Sequence, residues 1–162
     1  MLLKEISLLA KKEKVYVSFD MDGVIAEYDV SKTDEHKKKT DNFYINKRPM
    51  KTVIKFMKKL SKKGVTVLIL SCCHFENQKE EKILWLKKHV PFLKAENIHI
   101  ICYENVESEK LKDKYSLKTQ YLEKLFENRD GVVFHVDDDV RVISSMKKSD
   151  RINVKHISSL IK

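Results

Sequence analysis

What the chain lacks narrows it first. No run of residues approaches the roughly twenty apolar positions needed to span a bilayer. Residues 1–14 mix short apolar clusters with Lys4, Glu5, Lys11, Lys12 and Lys14, which suits an amphipathic helix better than an export signal. Cysteine is scarce: Cys72 and Cys73 are adjacent and Cys102 is distant, which makes no disulfide framework and fits a reducing cytoplasm. Cys72-Cys73-His74 supplies no zinc site either, because no second Cys or His pair stands at ligand spacing. With three glycines and two prolines in 162 residues there is no low-complexity linker, and no segment repeats. One domain is expected.

What is abundant is positive charge, a formal +9. Lysine far outnumbers arginine and is spread over the expected helix faces, so most of it reads as solvated surface. The sign of the charge favours an anionic ligand, and small anionic substrates more than nucleic acid.

The element pattern alternates. Val15, Val17 and Phe19 mark a strand that delivers Asp20 and Asp22 into a loop, where Gly23 lets the backbone turn. Glu27 to Lys47 is too polar for the core and reads as a short, partly helical excursion over the strand ends; its apolar knot, Phe43-Tyr44-Ile45, is assigned to packing. Arg48-Pro49 is expected to open a helix carrying Val53, Ile54, Met57 and Leu60, which Gly64 ends. Val65–Leu70 is a nearly continuous apolar strand ending at Ser71. Glu76–Val90 is a helix with Ile83, Leu86 and Val90 on one side and Trp85 nearby.

Ile98–Cys102 is a third strand, followed by a charged, irregular stretch to Tyr115. Ser116 is expected to cap a helix running to about Asn128. Val132–Val136 is a fourth strand ending at Asp137-Asp138-Asp139; a short helix, a fifth strand at Arg151–Val154 and a terminal helical turn follow. Such alternation predicts an α/β fold: a three-layer, Rossmann-like domain with a mostly parallel five-stranded sheet and a short cap insertion at 27–48. The loops after the strands then share one edge, so Asp20, Asp22, Ser71 and the 137–139 aspartates should converge.

Asp20-Met21-Asp22-Gly23-Val24, Ser71 ending an apolar strand, a lysine opening a later helix and Asp137-Asp138 ending another strand resemble the four ordered motifs of the haloacid dehalogenase superfamily. The resemblance covers most of the chain. Within it, Asp-Met-Asp-Gly-Val, Lys47-Arg48-Pro49-Met50, the segment from Trp85 to Pro91 and Val136-Asp137-Asp138 are similar to small nucleotidase-type phosphatases.

The resemblance implies a phosphomonoesterase working through an aspartyl-phosphate. Asp20 would be the nucleophile; Asp22 would protonate the leaving alcohol and later activate water; Ser71 would hydrogen-bond a phosphate oxygen. The lysine would neutralise phosphate and Asp20, with Lys118 preferred and Lys114 second. Mg2+ suits the oxygen donors, Asp20 and Asp138 through side chains and Asp22 through its carbonyl. Asp137 would support them, and Asp139 is the one-residue alternative to Asp138. His74 is a candidate substrate contact.

The implied substrate is a nucleoside monophosphate or a similar small phosphorylated metabolite, with no membrane partner. Because the cap is short, two variants accompany this reading: an open basic crevice that admits a nucleic-acid end, or a partner subunit that completes the cap. The non-enzymatic alternative is a receiver-like phosphoacceptor domain. Asp22 argues against it, since a receiver protonates no leaving alcohol.

Overall fold

The computed structural model describes residues 2–28 and 42–160. The 27–48 insertion therefore falls mostly outside the described residues, including its Ser31 to Lys39 stretch. At the start, α1 (Leu2–Leu9) buries Leu2 and Ile6, one turn apart on one face. It leads into β1 (Val15–Phe19), whose Val15, Val17 and Phe19 are all but inaccessible. Next come α2 (Lys51–Ser61), β2 (Thr66–Cys73), α3 (Glu76–His89), β3 (Ile98–Cys102) and the single turn α4 (Ser108–Leu111). The chain closes with α5 (Leu117–Phe126), β4 (Val132–Asp137), α6 (Val140–Met146), β5 (Ile152–His156) and a 3-10 turn at Ile157–Leu160.

All strands pair in parallel, in the order β3-β2-β1-β4-β5. β1 lies at the centre, with Phe19 opposite Ile69 on β2 and Val136 on β4. The two halves of the sheet are wound in opposite directions from β1, so the crevice between the carboxyl ends of β1 and β4 is where such sheets receive ligands. Two apolar layers sandwich the sheet. One joins α1, α2 and α3 through Ile6, Val53, Met57, Leu60, Trp85 and Leu86 to Val17, Phe19, Val67 and Ile69. The other joins α5 and α6 through Leu122, Phe126, Val142 and Met146 to Leu68, Leu70 and Val133. Each such side chain taken fully out of water contributes about 1.5–3 kcal/mol before conformational entropy is set against it.

Three boundaries differ from the sequence expectation. The α2 helix starts at Lys51, not at Arg48-Pro49, because the preceding backbone is already paired: Glu27 N–H donates to the Arg48 carbonyl (2.9 Å), Met50 N–H to Ile25 (2.7 Å), and Pro49 bridges Ala26. Ser71 lies inside β2, which runs on to Cys73 through its pairing with β3. Ser116 precedes α5 without capping it; its hydroxyl donates to the Asp113 carbonyl and accepts from Gln120. Among the described residues no helix is long and apolar enough to cross a membrane.

Candidate active site

The Asp20-Met21-Asp22 triplet is set by its middle residue. Met21 is wholly buried, and its carbonyl accepts the Ile25 and Ala26 N–H groups at 2.9 Å. That turn anchors the loop in the core and leaves Asp20 and Asp22 on the wall of a cavity of about 690 Å³. Gly23 adopts φ +75, and a Cβ there would lie 2.2 Å from Asp138 Oδ2, so the β1 loop and the end of β4 touch only because this residue has no side chain. Ser71, Cys72, His74, Tyr103, Lys114, Lys118 and Asp137 to Asp139 also face the cavity.

The first cluster surrounds Asp20. Lys118, buried in the first turn of α5, places Nζ 2.9 Å from Asp20 Oδ1 and 2.6 Å from Asp137 Oδ2. Asp137 is fully buried: His135 Nε2–H donates to Oδ2 (3.0 Å), Asp139 N–H donates to Oδ1 (2.9 Å), and the His135 Nδ1 is paired with Ser18. Burial works against the Asp137 anion, but the His135 hydrogen bond and the Lys118 charge hold its carboxyl well below the usual range. Asp20 moves the other way: burial raises it against the pull of Lys118, with Asp137 adding to the rise. Asp138 is pushed up to about 6 by burial and by the negative charges of Asp20 and Asp137.

Asp20, Asp137 and Asp138 each offer a carboxylate oxygen within 4.8 Å of the others. Three hard oxygen donors, two of them raised by burial and then by the negative charge of neighbouring aspartates, fit a small divalent cation. Asp137, with both oxygens already hydrogen-bonded, serves better as the support of the other two. Asp139 is engaged elsewhere, accepting the Arg141 N–H at the start of α6 and pairing with the Arg141 guanidinium at 2.8 Å. Lys114 lies over the Tyr115 ring, 5.4 Å from its centroid, and His74 packs edge-on against Tyr103 at 5.2 Å.

The second cluster surrounds Asp22 and contains two lysines that sequence reasoning missed. Lys82 Nζ donates to Asp22 Oδ2 at 2.5 Å, Ser71 Oγ at 2.9 Å and the Cys72 carbonyl at 2.9 Å. Lys47 pairs with Asp22 Oδ1. Burial opposes the Asp22 anion, yet Lys82 and Lys47 overcome it and hold this carboxyl below its ordinary value. The same α3 face fixes the segment that carries Lys47. Glu81 accepts the backbone N–H groups of Asn42 and Tyr44, both at 2.8 Å, and Trp85 Nε1–H donates to the Lys47 carbonyl at 2.8 Å. Phe43 and Tyr44 are buried beside it, with the Lys47 ammonium 4.8 Å and 4.6 Å from their ring centres.

A sequence signal for Lys82 did exist. The buried stripe of α3 is Gln78, Glu81, Lys82, Trp85 and Leu86, which continues the Trp85 face back by three, four and seven residues, whereas Leu84 is exposed. Ile83, expected on the buried side, is only partly covered.

No protein-family model and no curated protein sequence matches the chain. Solved structures do. The class C acid phosphatase from Bacillus anthracis, with tungstate bound, superposes at a TM-score of 0.59 with 15% identity, over 94% of this chain and 73% of that one. The HAD domain of the effector protein Lem4 from Legionella pneumophila, an inactive mutant, gives 0.52 and 18%, over 90% and 86%. A chain of the Pnkp1/Rnl/Hen1 RNA repair complex gives 0.62 and 14%, over 89% of this chain and 42% of that one. The chain thus spans less than half of the RNA repair protein it matches, and it spans 25% of the matched DsGPDH of Dunaliella salina. At such identities the likeness establishes the fold. It is a five-stranded parallel α/β sheet flanked by helices, the fold of the HAD domain of Lem4 and of the class C acid phosphatase.

Proposed function

We propose that this protein is a Mg2+-dependent phosphomonoesterase of the haloacid dehalogenase type that acts through an aspartyl-phosphate on Asp20, with a nucleoside monophosphate or a similarly small phosphorylated metabolite as substrate. The observation that carries this reading is the cluster at the β1–β4 crevice: Asp20 on the cavity wall, Lys118 at 2.9 Å, and Asp138 held against Gly23. The fold it shares with an acid phosphatase that binds tungstate, a phosphate-shaped oxyanion, lends support.

Phosphoryl transfer needs an in-line nucleophile, donors for the equatorial oxygens and a proton for the leaving oxygen. Asp20 attacks phosphorus, the bond to the leaving oxygen breaks, and Lys118 with the Ser71 hydroxyl takes up the charge on the phosphoryl oxygens. A divalent cation held by Asp20, Asp138 and the Asp22 carbonyl would neutralise the remaining charge. Asp22 handles the proton. Clamped by two ammonium groups it rests as a base, the form that activates water against the aspartyl-phosphate. The negative charge of an incoming phosphate raises its affinity for the proton that the leaving oxygen then receives.

The test is a phosphate-release screen with Mg2+ over nucleotides, sugar phosphates and phosphorylated oligonucleotides, with Asp20→Asn as the blank. Turnover is expected on mononucleotides, and Asp20→Asn should lower it by about 10³-fold or more. Hydrolysis that survives Asp20→Asn, or no hydrolysis of any member of the panel, would sink the proposal. Strong preference for oligonucleotide ends would instead move the substrate to nucleic acid.

A further inference from the structure

Lys82 is a buried charge to which the proposed chemistry gives no part beyond holding Asp22. Its side chain is wholly buried, and it does not line the cavity: it stands behind Asp22 and Ser71, which do. An ammonium has three protons to donate, and here all three are engaged, by Asp22, Ser71 and the Cys72 carbonyl. The Tyr44 ring covers the group, 4.4 Å from its centroid. Lys82 is therefore in no position to touch a substrate.

Its effect on Ser71 is directional. A hydroxyl has one proton to give and two lone pairs to offer. Ser71 Oγ accepts from Lys82, and Lys82 is its one hydrogen-bond partner among the described residues. With an ammonium on its acceptor side, the Ser71 proton has to point away from Lys82, and Ser71 borders the cavity. We propose that Lys82 is a positioning residue, which turns the Ser71 hydroxyl outward as a fixed donor to a phosphate oxygen while the same ammonium holds the Asp22 carboxylate. The assignment rests on the phosphatase reading for its ligand, since an oxyanion is what such a donor would meet. Charge on the ammonium also polarises the hydroxyl, so the Ser71 contact should be stronger than that of a neutral, freely rotating serine.

A double-mutant cycle read by inorganic phosphate binding in the presence of Mg2+ tests this, using calorimetry on the whole chain with wild type, Ser71→Ala, Lys82→Met and the double variant. Ser71→Ala is expected to weaken phosphate by about tenfold in the wild-type background and by less than about twofold when Lys82 is already methionine. A lysine that served only to hold the fold would leave the Ser71 factor equal in both backgrounds, and that result overturns the proposal. So does a wild type that binds no phosphate. If Lys82→Met does not fold, the wild type and Ser71→Ala still decide: the ¹⁵N signal of the Lys82 ammonium should shift on adding phosphate to the wild type and stay still in Ser71→Ala. No shift in the wild type overturns the assignment equally. Because phosphate binding requires no turnover, a failed substrate screen leaves this outcome separately readable.

Discussion

Lys118 and Lys82 are both buried lysines that hold the carboxylates of one triplet, but they arrive from opposite faces of the sheet. Lys118 stands on α5, joins the loop after β1 to the end of β4, and lines the cavity. Lys82 stands on α3, joins the same loop to β2, and lies behind the cavity wall. The difference lies in what each leaves over. Asp137 beside Lys118 is fully buried, and the crevice there sets three carboxyls against one ammonium, so it is short of positive charge. Asp22 beside Lys82 has a second ammonium, Lys47, and its charge is more than balanced. One face of the sheet presents the acid-rich cluster proposed to take the cation and the phosphate; the other presents a carboxylate saturated by two ammonium groups.

Removing each lysine should expose that asymmetry. Lys118→Met leaves Asp20 without its lysine and Asp137 with only His135 and the Asp139 N–H, and is expected to cost about 3 kcal/mol or more in urea unfolding. Lys82→Met should cost less, because Asp22 keeps Lys47 and is partly open to solvent. Equal losses would mean that the two lysines are equivalent supports and the comparison fails.

A smaller effect isolates the α3 side. Glu81→Gln replaces one of the two oxygens that accept from Asn42 and Tyr44 with an amide that cannot accept, and should destabilise by about 1–2 kcal/mol. It should also loosen Lys47 and alter turnover without changing the contacts of Asp20. If Glu81→Gln disturbs Lys118 and Asp137 as strongly as Lys47, for example in their NMR shifts, the two clusters are coupled rather than separate.

The smallest effect lies outside both. His99 on β3 is bonded to Tyr121 of α5 through Nδ1 at 2.8 Å, while its Nε2 is buried without a partner. Burial, with a smaller contribution from the Arg129 charge, lowers its affinity for a proton below the ordinary 6.5. The folded state thus refuses a proton that the unfolded chain accepts, so stability present above pH 6.5 is lost as the pH falls below it. His99→Leu should flatten that part of the stability profile and leave the lysine contrast at neutral pH unchanged. A profile that keeps its slope in the variant would assign the loss to another group.

Much of the Lys118 side was legible. The run Val15–Phe19 ending in Asp20, the run Val132–Val136 ending in acids, and a lysine in the first turn of the intervening helix are local patterns, and parallel pairing brings strand ends to one edge. The α3 side was far less legible. Alternation and turn chemistry place Ser71 and Asp22 near the edge, but Lys82 sits in a helix where Ile83 draws the expected face away from the Gln78, Glu81, Lys82 and Trp85 stripe that packs. Its partners are 60 and 11 residues away in sequence, so the one local signal, its place on the Trp85 face, says that it is buried but not what it meets.

The sequence by itself determined the alternation of strands and helices, from which a parallel sheet was expected. It also determined the Asp20-Met21-Asp22-Gly23 turn, because each of these follows from side-chain period, apolar runs and backbone freedom within a few residues. Tertiary structure decided which of the charged side chains lost their water. Ser71 is held by Lys82, and Asp138 rather than Asp139 faces Gly23 because Asp139 is taken by Arg141. Burial and pairing of a charge depend on groups brought together from distant parts of the chain, and their energies exist only once the sheet has closed on both sides.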